Sequence, residues 1–155
     1  MKKIVLLFVM AGLLVSCGVS KTERQAQKVF KGDWTLTHVN LPSALVDVAL
    51  FDDADTKCFE NSQWHFVPNN NTGSYELMGC EPGVRDFHWS VQENSGMGIY
   101  SFNLKPELEG QKARKVKTGY KLRLVSLDEG QMQWEQTVSY EGKPFTIQMS
   151  FTKNY

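Results

Sequence analysis

The chain has 155 residues, which suits one domain and is short for two. It carries 17 Lys and Arg against 17 Asp and Glu, so nucleic acid is not favoured as a partner, because nucleic-acid-binding proteins usually have a basic excess. With 41% hydrophobic and 22% charged residues, the composition excludes a disordered chain, and its nine Phe, five Tyr and four Trp favour strands.

The first 16 residues have the pattern of a secretory signal peptide. Two lysines precede an uncharged run from Ile4 to Leu14, which is too short to span a bilayer, since spanning needs about 20 residues. Positions 14–17 read Leu-Val-Ser-Cys and resemble the lipobox of bacterial lipoproteins. That resemblance implies cleavage before Cys17, acylation of Cys17 and a stable lipid anchor in a membrane. The alternative is an ordinary secretory signal with an incidental cysteine.

The residues after Cys17 bear on the cellular location of the protein and on where its folded domain begins. Gly18 stands where an aspartate would suggest retention in the inner membrane, so the outer membrane is favoured, and its face stays open. Ser20 and Glu23 predict a capping box for a short helix, which we expect to end at Gly32. We therefore expect a signal peptide (1–16), a lipidated tether with a short helix (17–31) and one folded domain (32–155).

Eight segments of the domain alternate apolar and polar residues, as half-buried strands do. They are Trp34–Val39, Ser62–Val67, Ser74–Gly79, Arg85–Gln92, Met97–Leu104, Gly119–Leu127, Gln131–Tyr140 and Phe145–Thr152. Pro42–Phe51 is apolar without alternation and is interpreted as a short helix or a covering loop. Because most connections are short turns, neighbouring strands should pair antiparallel, and closing the sheet would remove its edges. The predicted fold class is an all-β, eight-stranded antiparallel up-and-down barrel with a short N-terminal helix.

Cys58 and Cys80 remain as a pair if Cys17 is acylated. In an oxidising compartment they predict a disulfide that closes a loop of about 23 residues and stabilises the fold by about 3 kcal/mol. A zinc site would need a second cysteine or histidine two to four residues from either one, and neither has such a neighbour.

Gly32-Asp33-Trp34, at the start of the first strand, resembles the Gly-x-Trp motif that opens lipocalins. The chain is also similar to lipocalin-like domains of Bacteroidetes lipoproteins. This similarity lies in Cys58-Phe59, Trp64-x-Phe66, Gly73-x-Tyr75, Cys80 and the ending from Trp134 to Phe151. The resemblance implies a lipocalin-like barrel in which Gly32 and Trp34 form a structural plug at the closed end. The Thr-Asp-Tyr loop motif of the family does not occur in the sequence, we expect no counterpart of the family's C-terminal helix, and the arginine that stacks over its tryptophan has no clear counterpart.

The apolar side chains that share a phase on the predicted strands form the candidate ligand surface. They are Trp64, Phe66, Tyr75, Phe87, Trp89, Phe102, Leu122, Trp134, Ile147 and Met149. Their flat faces could line a cavity for a lipid, a heterocycle or a sugar ring. The alternative is that they fill the interior of a small barrel.

The polar residues give weaker signals. His65 and His88 are out of phase with their aromatic neighbours and should face solvent, so no metal site is expected. The acidic residues from Asp52 to Glu60 lack the central glycine of a calcium loop and are interpreted as a solvated loop. The basic stretch Lys112–Arg123 is interpreted as an exposed loop and strand face, with contact to lipid head groups or an anionic glycan as the alternative.

These patterns favour non-catalytic binding of a small hydrophobic or amphipathic molecule at the cell envelope. A filled barrel that serves as a protein-interaction or inhibitor module is the alternative. The chain has no Gly-x-Ser-x-Gly context for a catalytic serine, and we expect no catalytic residue, cofactor or metal. The expected partners are the membrane, through the lipid anchor, and a small molecule or a protein, but not nucleic acid.

Overall fold

A computed structural model describes residues 20–42, 48–80, 83–93, 100–106, 119–140 and 142–155. The signal peptide, the predicted lipidation site Cys17 and the basic residues from Lys112 to Lys117 lie outside the described residues.

The described elements are two helices and ten strands. The helices are α1 (Lys21–Phe30) and α2 (Thr56–Phe59). The strands are β1 (Gly32–Asn40), β2 (Ala49–Leu50), β3 (Ala54–Asp55), β4 (Gln63–Val67), β5 (Thr72–Glu76), β6 (Val84–Glu93), β7 (Tyr100–Pro106), β8 (Tyr120–Leu127), β9 (Gln131–Tyr140) and β10 (Lys143–Lys153).

All strands except β2 and β3 belong to one antiparallel sheet, which we call the barrel-like sheet. Its order is β1-β10-β9-β8-β7-β6-β5-β4, so that the strands from β4 to β10 each pair with the next in the chain, as expected for a meander. Trp34 of β1 lies opposite Lys153 of β10 on one side and opposite Trp64 of β4 on the other. The prediction of an all-β, antiparallel, barrel-like fold with few helices is confirmed.

Helix α1 forms where the sequence predicts it. The Ser20 hydroxyl accepts from the Glu23 amide at 3.0 Å, and the Glu23 carboxylate accepts from the Ser20 amide at 3.1 Å, so both halves of the capping box are present. Its apolar face buries Ala26 and Phe30. The chain leaves the helix through Gly32, whose φ of 110° is readily adopted only by glycine.

Strand β1 departs from simple alternation. A register shift between Leu36 and His38 in its pairing with β10 reverses the phase of the strand. Simple alternation would place His38 on the face of Trp34 and Leu36, but its side chain is 66% exposed, and Val39 packs against the core instead. The bulge therefore turns an apolar residue inward at the far end of β1.

Trp34 is fixed by partners from both ends of the chain. Its indole Nε1 donates to the carbonyl oxygen of Phe30 at 2.8 Å. The ammonium of Lys153 lies 5.0 Å from the ring centroid, in the range of a cation–π contact, and donates to the carbonyl oxygen of Val29 at 2.8 Å. The position over this tryptophan, for which sequence analysis identified no residue, is thus taken by a lysine.

Residues 48–59, which we call the cap, cover part of one end of the sheet. Phe51 is buried and packs edge-on against Phe59 at 5.6 Å and Trp64 at 6.1 Å between ring centroids. Cys58 in α2 is bonded to Cys80 beyond β5, so the predicted disulfide is confirmed. The predicted covering segment Pro42–Phe51 is described only in part, and its residues 48–51 belong to the cap.

Candidate functional site

The two ends of the barrel-like sheet differ in what covers them. Strand β1 begins next to α1 and runs away from it, and antiparallel β10 therefore starts at the opposite end. At the α1 end, the ring of Phe30 lies 5.4 Å from Phe66 and 5.2 Å from Trp89 between centroids. At the other end, the cap reaches β4 and β8 through the ring of Phe51. The helix thus closes one end, and the cap covers part of the other.

The structure places the predicted ligand residues inside the sheet. Nine of them have side chains no more than 3% exposed: Trp64, Phe66, Tyr75, Phe87, Trp89, Leu122, Trp134, Ile147 and Met149. The backbone of Phe102 pairs with Val91 and Leu122, and its side chain lies outside the described part of the chain.

The aromatic members of this set contact one another closely. Trp64 stacks on Tyr75 at 4.6 Å and meets Trp134 edge-on at 5.6 Å between ring centroids. Trp134 in turn lies 4.4 Å from Phe151. Rings at these separations are in van der Waals contact and leave no room for a ligand between them. The packing favours a role in the core for these rings.

A different set of apolar side chains lies toward the end opposite α1, and we call it the rim. Each member is half-buried and packs against the core: Val39, Leu41, Tyr120, Val138 and Phe145. On β9 and β10, paired inward side chains become more exposed toward the end opposite α1. Ile147 is buried opposite Gln136, Phe145 and Val138 are half-buried opposite each other, and Tyr140 is 41% exposed. The rim therefore offers partly exposed apolar surface at this end of the sheet.

Gln136 lies one inward position below the rim on β9. Its side chain is only 8% exposed, and its Oε1 has no hydrogen-bond partner among the described residues. The ligand surface predicted from the sequence contains only apolar side chains, with Trp134 as its member on β9, and so omits Gln136. The sequence nevertheless indicates that Gln136 faces inward, because it lies two residues from both Trp134 and Val138 and alternate residues of a strand share a face. A buried acceptor without a donor is unfavourable unless a water or a ligand supplies one.

Two aspartates of the cap hold it to the sheet. Asp53 accepts from the hydroxyl of Tyr75 at 2.8 Å and from Nε of Arg85 at 2.7 Å, and Asp52 accepts from the hydroxyl of Tyr120 at 2.5 Å. Burial, with the bond to the nearby aspartate, raises the pKa of both tyrosines above the ordinary tyrosine value. Asp52, Asp53 and Asp55 are exposed, as expected for a solvated loop, but the carboxylates of Asp52 and Asp53 also bond to strands, which the sequence did not predict.

The outward histidines pair with single carboxylates. His65 Nδ1 lies 2.6 Å from Asp33, and His38 Nδ1 lies 3.0 Å from Glu60, with half or more of each imidazole exposed. His88, also expected to face solvent, is half-buried. Within the described ranges, no three histidine, cysteine, aspartate or glutamate side chains are close enough to bind one metal ion.

Two open grooves lie on the outer face of the sheet. One of about 430 Å³ runs across β1, β4 and β5 past Asp33 and Glu76, and one of about 310 Å³ lies over Gly73. Their walls combine polar and charged residues with apolar and aromatic ones, and both are open to solvent. The rim residues, in contrast, are all hydrophobic.

A scan against protein-family models finds no match for this chain, and a search of curated proteins finds none either. In the described part of the chain, neither helix has the length and apolar composition needed to cross a membrane.

Proposed function

We propose that this chain is a lipid-anchored lipoprotein of the bacterial outer membrane whose lipocalin-like, closed eight-stranded barrel binds a small amphipathic molecule at the rim without catalysing a reaction. The observation that carries the proposal is the half-buried apolar rim directly above the buried amide of Gln136. Small-molecule sites have this composition, in which apolar walls supply affinity and a few polar groups orient the ligand.

The barrel is supported by the pairing of β1. This strand bonds to β10 over most of its length and to β4 from Gly32 to Thr35, so hydrogen bonding continues from the last strand of the sheet back to the first. The buried Trp34 beside Gly32 agrees with the plug that the lipocalin resemblance implies. The lipocalin resemblance supports the proposed family, and the lipobox supports the proposed location in the cell envelope.

The binding mechanism that we propose is removal of apolar ligand surface from water. Burial contributes about 25 cal/mol for each Å² of apolar area, so about 200 Å² against the rim would contribute about 5 kcal/mol. The acyl chains on Cys17 would hold the barrel at the membrane surface, and each buried methylene adds about 0.8 kcal/mol to that anchor. The rim would then take up a molecule that is itself poorly soluble in water.

Native mass spectrometry of the lipidated protein, extracted from its own membranes, tests this function. We expect a reproducible extra mass on the folded protein that is lost on denaturation. Val138→Asp should abolish the extra mass because it places a charge in the rim. Val84→Asp is the matched control, since Val84 is 65% exposed on β6. Only the bare mass in the wild-type protein, or an extra mass that survives Val138→Asp, would contradict the proposal.

A filled barrel that docks a protein partner is the second candidate. Two observations favour it: the close packing of the aromatic interior, and the exposure of Met78 (62%) in the β5–β6 connection and of Val84 (65%) at the start of β6. On this alternative, reversing the charges of Lys115 and Lys117 would abolish binding of an envelope partner, and Val138→Asp would leave it intact. The two variants thus separate the candidates.

A further inference from the structure

Gln136 differs from the other buried polar residues that the structure describes. The others are Thr56 and Ser62. Ser62 donates to the carbonyl oxygen of Phe59 and accepts from Nε1 of Trp64 at 2.8 Å, so its hydroxyl is fully used. Gln136 retains an acceptor that no described residue satisfies. A polar group in this state either binds something that the chain itself does not supply or destabilises the fold.

The surroundings of Gln136 limit what can bind there. Ile147 lies opposite it on β10, and Trp134 and Val138 flank it on the inner face of β9. None of the buried residues in the described ranges is charged, so an ionised ligand group would enter without a counter-charge. A neutral O–H or N–H group is the chemistry that satisfies a buried carbonyl acceptor at the lowest desolvation cost.

We propose that Gln136 is the polar recognition residue of the rim and that the ligand presents a neutral hydrogen-bond donor to its Oε1. This inference rests on the proposed function and adds the chemical class of the ligand: an amphipathic molecule with a hydroxyl or N–H group at its buried end. Gln136 is two residues below Val138, so this donor lies about 7 Å inside the rim, at about 3.3 Å per residue along a strand. The rest of the ligand contacts the apolar rim.

Indole and 1-methylindole are suitable probes because 1-methylindole has an N–CH3 group in place of the N–H donor, and comparing their affinity ratio between variants removes the contribution of the added methyl group. Their dissociation constants are measured by saturation-transfer NMR on the full lipidated protein in lipid nanodiscs, with empty nanodiscs subtracted. We expect wild-type protein to bind indole about tenfold more tightly, which corresponds to one net hydrogen bond. Gln136→Leu should bring this ratio close to one without changing the affinity for 1-methylindole.

Gln133→Leu is the matched control, because Gln133 carries the same amide on the same strand but on the outer face. It should keep the tenfold preference. If both probes bind and wild type and Gln136→Leu give the same ratio, the role of Gln136 is wrong and the proposed function stands. If neither probe binds wild-type protein, the rim is not a small-molecule site and the proposed function fails with it.

Thermal unfolding of the ligand-free protein gives a second readout that needs no probe. Removing an unsatisfied buried acceptor should raise the Tm of Gln136→Leu, and Gln136→Met, which keeps the chain length, should do the same. A lower Tm in both variants would show that the amide is already satisfied within the protein, and that would overturn the assignment.

Discussion

The two ends of the barrel-like sheet differ in how completely their side chains are buried and hydrogen-bonded. At the α1 end, Phe30, Trp34 and Trp89 are at most 3% exposed, and both indole N–H groups have carbonyl partners at 2.8 Å. At the opposite end, the rim is half-buried, and the amide of Gln136 beneath it keeps an unused acceptor among the described residues. The first arrangement is closely packed with its indole donors paired, whereas the second leaves apolar surface partly exposed and one buried acceptor unpaired among the described residues.

This difference follows from how each end is covered. Helix α1 follows directly from local sequence, with its own cap and its own glycine exit, and it places Phe30 against the sheet. The cap at the other end depends on distant partners, namely the disulfide to Cys80 and the tyrosines of β5 and β8. We therefore expect the two ends to respond differently to mutation.

The largest expected effect separates the ends directly. Phe30→Ala should lower the free energy of unfolding by about 3–5 kcal/mol, because it leaves a cavity in a fully packed site. Phe145→Ala in the rim should lower it by about 1 kcal/mol, since this side chain is already half in solvent. Urea unfolding of both variants measures the difference, and equal losses would contradict the distinction between the ends.

The second prediction concerns the cap. Replacing Cys58 and Cys80 together by serine should lower the free energy of unfolding by about 3 kcal/mol, because the disulfide closes a loop of about 23 residues. A reducing agent added to wild-type protein should reproduce the loss and should leave the double variant unchanged. If the oxidised and reduced wild-type proteins unfold at the same urea concentration, the bond does not hold the cap.

The third prediction tests the packing between the ends. A Cβ on Gly73 would meet the ring of Phe87 and lie 2.5 Å from the carbonyl oxygen of His65, so the backbone would have to move. Gly73→Ala should therefore lower the free energy of unfolding by about 1–3 kcal/mol. Gly79→Ala is the control, because no described atom lies within 4 Å of the position of its Cβ. If Gly73→Ala leaves the free energy of unfolding unchanged, the packing around Gly73 is looser than the structure indicates.

The smallest expected effect is a pH dependence of the stability that the bond between Tyr75 and the cap contributes. Burial and the bond to Asp53 raise the pKa of Tyr75, so the folded protein keeps this proton at pH values where the unfolded chain, with a tyrosine pKa near 10, has lost it. This contribution to stability is full below about pH 10 and is lost as the pH rises further.

Tyr75→Phe should accordingly lower the free energy of unfolding by about 1 kcal/mol at neutral pH, through the lost hydrogen bond, and weaken its decline above pH 10. Chemical denaturation at pH 8 to 11 measures both quantities. Tyr140→Phe, at a position that is 41% exposed, is the matched control. An unchanged alkaline decline in Tyr75→Phe would show that this hydroxyl is not shielded by the cap.

The parts of the fold that depend on neighbouring residues could be predicted from the sequence. The capping box of Ser20 and Glu23 and the exit at Gly32 act within a few residues, and the inward phase of β8 follows from Leu122 and Leu124 alone. The pairing of Cys58 with Cys80 could also be predicted, because acylation of Cys17 would leave them no other partner.

The parts that depend on distant residues could not be predicted. The bulge between Leu36 and His38 arises in the pairing with β10, more than 100 residues away, and the placement of Lys153 over Trp34 depends on the same pairing. Gln136 has the correct phase for an inward residue, but a pattern that counts only apolar side chains omits it. The candidate site was therefore sought among the aromatic residues of the core and is found nearer the end opposite α1.

Hydrogen–deuterium exchange tests the account most directly. It is measured on the protein purified from the cells that produce it, before and after extraction of bound small molecules with organic solvent. We predict that extraction speeds exchange in the rim segments of β9 and β10, from Gln136 to Ile147, and leaves α1 and the start of β1 unchanged. Faster exchange at the α1 end, or no change at the rim when a bound mass has been removed, would contradict the assignment of binding to the rim.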